Sequence, residues 1–155
     1  MYFAYGSNMD WHQMRDRCRS ARFGCVAKLE GHRIIFPRTS KCRRCGVASI
    51  EPDPASAVWG VVYQIDGRDN GKLDSSEGYD PNLEPGLNSY VRTECRVFCA
   101  GDKQEPVTAW IYVANVQPGK HRPSANYMAT IVKGASFWHL PSEYVRKLEA
   151  IEVSG

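Results

Sequence analysis

No stretch of this 155-residue sequence is apolar for long enough to cross a bilayer as a helix, which takes about 20 such residues. Met1-Tyr2-Phe3-Ala4-Tyr5 has neither the basic segment nor the long apolar core of a secretory signal, so a cytoplasmic protein without membrane contact is expected. Charge of one sign is also scarce. The net charge is +3, too small to imply a polyanionic partner, and no aromatic residues interleave the one locally basic stretch, Arg38 to Arg44. That stretch reads as a solvated loop, and no nucleic acid is expected. Histidine is sparse too: four residues with no H-x3-H pair. The Cys42-Arg43-Arg44-Cys45 knuckle lacks a second one at zinc-ribbon spacing, since Cys18 and Cys25 lie seven apart, so neither metal nor cofactor is expected. In a cytoplasmic chain disulfides are not expected either, and Cys95 and Cys99 read as small hydrophobes within a strand.

What is present is the composition of a globular protein, 43% hydrophobic and 24% charged, sized for one domain over residues 1–155. Strand-like segments fill the first two-thirds: 2–5, 23–29, 33–36, 46–50 and 58–65. Turns are expected at Glu30-Gly31 and Pro52-Asp53-Pro54. The nearly uninterrupted apolar run Val58 to Ile65 suggests a central strand covered on both faces. Tyr90 to Cys99 alternates, and a turn at Gly101-Asp102-Lys103 would join it to Val107–Val113 as a hairpin. Helical patterns cover Asp10–Asp16, Arg68–Ser76, Ser124–Ala135, with Tyr127, Ile131 and Ala135 on one face, and Pro141–Leu148. The expected class is α+β, a sheet or small barrel covered by helices.

Two segments carry chemistry. In the first, the run Tyr2–Tyr5 stops at Gly6-Ser7-Asn8 and a helix follows. Glycine there relieves backbone restriction and Ser or Asn can cap the helix. Outward-pointing N–H groups at such a strand-to-helix turn receive a carboxylate or phosphate. In the second, Leu73-Asp74-Ser75-Ser76-Glu77-Gly78, a carboxylate ends a short helix. The helix dipole and partial burial both disfavour its charged form, the conditions of a general acid/base near neutral pH. The same residues are compatible with a plain turn and with a glutamate beside a glycine cap. Tyr127 is either a core tyrosine or a site residue by spacing alone. Tyr5 can pack beneath the loop, and Arg92 can pair with a substrate or with an acid on a neighbouring strand. Ser7 lacks the Lys or His partner of a nucleophile.

Taken in order, Tyr5-Gly6-Ser7-Asn8, Trp59-Gly60-Val61-Val62-Tyr63, Leu73-Asp74-x-x-Glu77-Gly78, Tyr90-x-Arg92, Pro123-Ser124-x-x-Tyr127-x3-Ile131-x2-Gly134-Ala135 and Leu140-Pro141-x2-Tyr144-x3-Leu148 resemble the gamma-glutamylcyclotransferase-like (AIG2-like) family over nearly the whole chain. The resemblance implies a small mixed β-barrel flanked by helices. It also implies release of 5-oxoproline from a small γ-glutamyl substrate, without metal or cofactor. Tyr5, Gly6, Ser7 and Asn8 would hold the γ-glutamyl head group, Glu77 would be the acid/base, and Tyr127 would reach the substrate. Other readings of these segments are a non-catalytic module binding a small carboxylate, and an acyltransferase or amide hydrolase working on a different small amide. Departures from the family pattern are His139, where Gly-Leu-Pro is common, the Cys42–Cys45 loop with its basic flank, and the loop Tyr79 to Asn88, a possible lid. They leave the leaving group open, and the oligomeric state is open as well.

Overall fold

Two long runs rich in β-branched and aromatic residues build most of the fold. The computed structural model describes residues 1–100 and 105–155; the turn expected at Gly101-Asp102-Lys103 lies outside them. β2 (Arg22–Ser40) and β3 (Cys45–Gln64) form one antiparallel hairpin, longer than the four short strands expected. The expected breaks are bulges. Pairing steps from Glu30↔Ala57 to His32↔Pro52, with Gly31 at φ 70 opposite the extra β3 residues. The Asp53 carboxylate accepts the Ala55 N–H at 3.1 Å and the Ser56 hydroxyl at 2.7 Å. A bulge absorbs extra residues and tolerates proline without ending the strand.

β1 (Tyr2–Ala4) pairs antiparallel with β3, and β4 (Tyr90–Cys99) with β5 (Val107–Ala114). A single parallel register, Tyr2↔Trp110, closes the ring in the order β1-β3-β2-β4-β5. Closure leaves no long open edge. Around this mixed barrel lie α1 (Trp11–Arg17), α2 (Asn70–Ser76), α3 (Ala125–Phe137) and α4 (Ser142–Glu149), giving the expected α+β class. Val58, Val61, Val62 and Tyr63 of β3 are buried between β1 and β2, as the apolar run implied.

The cysteines depart from expectation. Cys25 and Cys99 are disulfide-bonded with Cα atoms 5.8 Å apart, within the usual bridging range. They join β2 to β4 where those strands pair only at Ala27↔Cys99 and Lys28↔Phe98, a proximity that spacing could not reveal. Cys42 and Cys45 are both free, the first exposed and the second buried.

α3 sets the position of the N-terminal turn. The Ser124 hydroxyl caps it by accepting the Tyr127 N–H at 3.1 Å, and Tyr127, Ile131 and Ala135 are buried on its inner face. Gly134 faces the 3-10 turn Ser7–Met9. A Cβ there would lie 2.5 Å from the Asp10 nitrogen and closer still to the Met9 carbonyl carbon, so only glycine permits this backbone contact. At its other end α3 closes with the Leu140 N–H on the Ala135 carbonyl at 3.0 Å and His139 at φ 57. That left-handed C-terminal position favours glycine, and His139 does not line the site cavity described below.

Gly134 and His139, both near the C-terminal end of this helix, should therefore respond oppositely to substitution. Gly134→Ala should lower stability by about 1–3 kcal/mol through overpacking against backbone. His139→Gly should raise it by about 1 kcal/mol by relieving the left-handed conformation. Thermal melts of both variants check this.

Candidate active site

Between β1 and α1 the chain makes a tight 3-10 turn rather than entering the helix directly. Gly6 has a negative φ of −112, so no left-handed backbone requires glycine here. A Cβ would sit 3.5 Å from Ala48 Cβ and 3.8 Å from the Tyr127 hydroxyl. The expected cap is displaced as well. Asp10, not Ser7 or Asn8, caps α1 by accepting the Gln13 N–H at 2.9 Å. Ser7 and Asn8 are thereby freed for other contacts, and the first N–H groups of the turn have no partner within it.

Glu77 arrives from the other side. It is the C-cap of α2, with Gly78 at φ 63 after it and the Tyr79 N–H returning to the Asp74 carbonyl at 2.9 Å. Gly78 is needed for that left-handed cap. Behind it, buried Asp74 receives Arg92 Nη1 at 3.1 Å and the Tyr112 hydroxyl at 2.6 Å, tying α2 to β4 and β5. Arg92 thus pairs with an acid, as one reading held, but the acid lies on α2.

The two segments meet in one cavity of about 30 Å³. Tyr5, Gly6, Ser7, Asn8, Glu77 and Tyr127, the residues that the resemblance assigns to the site, line it. Glu77 is the one carboxylate in the lining, and its side chain is only 14% exposed. Asn8 Nδ2 donates to Glu77 Oε1 at 2.8 Å and to the Tyr2 hydroxyl at 2.9 Å. The Asn8 amide is oriented by its other end, since Oδ1 accepts from Gln13 Nε2 and Arg17 Nη1, each at 2.9 Å. With two donors on the oxygen, the Nδ2 group is left to face the carboxylate.

Burial pushes the Glu77 carboxyl above its usual range, opposed by Arg17 at 3.4 Å, by the Asn8 bond and by Arg43. The tyrosines around it remain neutral. Burial raises Tyr127 to about 12 and carries Tyr2, Tyr5 and Tyr90 well above their ordinary value. Tyr127 reaches the cavity with its hydroxyl accepting the Ala48 N–H at 3.0 Å. Tyr5 both packs and lines, donating to the Tyr112 carbonyl at 2.6 Å. A wider open depression of about 550 Å³ lies between α1 and α2. Its carboxylates Asp66 and Asp69 are already paired with Arg68 and Lys72, and it holds no arrangement of comparable chemistry.

Comparison with known proteins bears on the family and the fold. The sequence profile of the AIG2-like family matches residues 57–148. The gamma-glutamylcyclotransferase of Homo sapiens is 34% identical over 98% of this chain and 78% of its own length, and that of Mus musculus 33% identical over the same shares. This chain is a member of the AIG2-like, gamma-glutamylcyclotransferase family. A solved gamma-glutamyl cyclotransferase superposes with a TM-score of 0.87 at 34% identity, covering 99% of this chain and 88% of that one. YkqA from Bacillus subtilis, 20% identical, shares the fold with a TM-score of 0.73 over 99% of this chain and 55% of its own.

Several residues in or next to the cavity of this AIG2-like chain escaped the sequence reading. Gln13 and Arg17 stand four apart on one face of α1, a spacing that was visible but had no known target. Tyr2, Tyr90 and Tyr112 line the cavity from strands. Arg43 is the largest departure. In place of a solvated loop, it extends from the β2–β3 hairpin tip to Gln13 Oε1 at 2.6 Å and Ser7 Oγ at 3.3 Å, over the Tyr127 ring. Arg38 likewise donates to the Ser89 and Asn115 carbonyls. No residue of the loop Tyr79 to Asn88 lines the cavity, and Asn88 pins that loop by accepting the Asp80 N–H at 2.8 Å. Among the described residues no cluster of three or more metal-ligating side chains occurs, and no helix is long and apolar enough to cross a membrane.

The balance on Glu77 gives a directional test. Arg17 favours the carboxylate, so Arg17→Gln should raise the Glu77 proton affinity further. If activity needs the unprotonated form, the acid limb of the pH–kcat/KM profile should move to higher pH, by on the order of one unit. Steady-state profiles of the two proteins measure the displacement.

Proposed function

We propose that this protein releases 5-oxoproline from a γ-glutamyl amide by intramolecular cyclisation, with Glu77 as the acid/base. The observation carrying this reading is the single buried carboxylate held by Asn8 against the Gly6–Asn8 turn. The proposal draws its substrate class from the relatives, which bear the name gamma-glutamylcyclotransferase.

The α-amine of a γ-glutamyl group, with a pKa of about 8, is mostly protonated at neutral pH. Glu77 accepts one of its protons, and burial makes this carboxylate a stronger base than an ordinary glutamate. The freed amine attacks the γ-carbonyl of the same molecule and forms the new C–N bond of a five-membered lactam. Holding the chain folded over itself removes much of the entropic barrier. Backbone N–H groups of the Ser7–Met9 turn stabilise the oxyanion of the tetrahedral intermediate. As the intermediate collapses, the original amide C–N bond breaks, Glu77 gives its proton to the departing amine, and the second proton of the attacking nitrogen is lost to solvent to leave the neutral lactam. One carboxylate serves both transfers, matching the single carboxylate in the lining.

The neutral tyrosines fit this scheme as hydrogen-bonding walls rather than as bases. Tyr127 and Tyr5 would bound the head group, and the space left by the missing Gly6 side chain would admit it. The cavity is close to the volume of one water, so a head group enters only as side chains at the mouth swing aside. Incubation with γ-glutamyl amino acids and γ-glutamyl amines, with chromatographic detection of 5-oxoproline, tests the activity. Glu77→Gln keeps the shape and the Asn8 contact but removes the exchangeable proton. It should lower the rate by about 100- to 10,000-fold, the usual worth of a general acid/base, while far-UV circular dichroism stays unchanged. Unaltered turnover in this variant would remove Glu77 from the mechanism.

A further inference from the structure

Arg43 has more hydrogen-bonding capacity than the protein uses. Both of its side-chain hydrogen bonds run through Nη2, to Gln13 Oε1 and Ser7 Oγ. Nη1 and Nε find no acceptor among the described residues. Its two acceptors are neutral, and no described carboxylate lies within 4.0 Å of its guanidinium. Other partly covered cations near the site are differently placed. Arg17 has Glu77, and Arg92 has Asp74. A half-buried guanidinium pays for its desolvation through charge-assisted bonds, and here no described carboxylate bonds it directly, Glu77 acting on it only at longer range.

Its location says which anion would complete it. Arg43 does not line the cavity itself, yet it touches two residues that do, Ser7 and the ring of Tyr127, whose centroid is 4.9 Å from the guanidinium carbon. It therefore stands beside the cavity, half-exposed to solvent. A γ-glutamyl head group bound against Glu77, with its leaving amine directed outward, would bring that amine past Arg43. Lys41 and Arg44 are exposed on the same hairpin tip, which adds positive potential and no competing acid.

We infer that Arg43 is a specificity-determining residue that binds a carboxylate carried by the leaving amine. This rests on the proposed cyclisation for the orientation of the substrate. Arginine suits the role because its planar fork keeps a fixed geometry towards carboxylates. The hairpin tip that carries it is also where the sequence departs from the family pattern, so the selectivity would belong to this chain's own loop.

The test compares two compounds that differ only in the leaving-group carboxylate, γ-glutamyl-alanine and γ-glutamyl-ethylamine. Wild type should prefer the first in kcat/KM by about tenfold or more, the scale of a charge-assisted hydrogen bond. In Arg43→Gln the preference should fall towards one, and Arg43→Lys should recover part of it. The ratio is insensitive to partial unfolding, which lowers both substrates together. A ratio unchanged in Arg43→Gln, whether rates hold or fall equally, overturns the inference and leaves Arg43 as a brace for Ser7 and Gln13. Calorimetric affinities of both compounds for Glu77→Gln, with and without Arg43→Gln, give the same ratio without turnover. If wild type makes no 5-oxoproline but the affinity ratio still collapses, carboxylate recognition stands and the cyclisation falls. If affinities are equal for both compounds throughout, carboxylate recognition falls.

Discussion

The hydrogen bond from Asn8 Nδ2 to Glu77 Oε1, 2.8 Å long and spanning 69 residues of sequence, is the contact the rest of the site depends on. It joins a turn fixed from the N-terminal side to a carboxylate fixed from the end of α2. Each partner is over-determined. The turn is pressed against α3 at Gly134, its carbonyls at Asn8 and Met9 take the Tyr63 hydroxyl and the Trp138 indole N–H, and Asn8 Oδ1 is held by Gln13 and Arg17. Glu77 is set by the Gly78 cap and by Asp74, anchored to the barrel wall through Arg92 and Tyr112.

Opposing electrostatic forces set the character of that carboxylate. Burial raises its proton affinity, while Arg17, Asn8 and Arg43 lower it. Burial wins, but the cations keep the group within reach of ionisation. The surrounding tyrosines, pushed upward by the same burial, contribute hydroxyls and walls without competing for the proton. A polar chain thus runs from Arg43 through Gln13 and Asn8 to Glu77, each amide oriented by the donor before it. The proposed acid/base and the proposed carboxylate reader lie at its two ends.

Much of this was legible in the sequence because it is local. Gly78 after a short helix announced the cap that places Glu77, Ser124 announced the start of α3, and the 3.6-residue spacing put Tyr127 on its buried face. The family resemblance supplied the barrel, which no single strand pattern could. What stayed hidden depends on distance. The bulges at Gly31 and Asp53 turned four expected strands into two because pairing partners, not local propensity, decide where a strand ends. The Cys25–Cys99 bond follows from β2 lying beside β4. Arg43 read as solvated because its sequence neighbours are basic and polar, yet the long hairpin folds its tip back over the site. Asp10 took the capping role from Ser7 and Asn8 because the chain first makes a 3-10 turn.

The central claim is that the nucleophile is the substrate's own α-amine and that water takes no part in breaking the amide. Turnover of a γ-glutamyl amino acid in heavy-oxygen water, followed by mass spectrometry of the product, tests this most directly. Cyclisation at Glu77 predicts 5-oxoproline with no solvent oxygen in it. Glutamate carrying a heavy oxygen in its γ-carboxylate would contradict the account and make the enzyme a hydrolase.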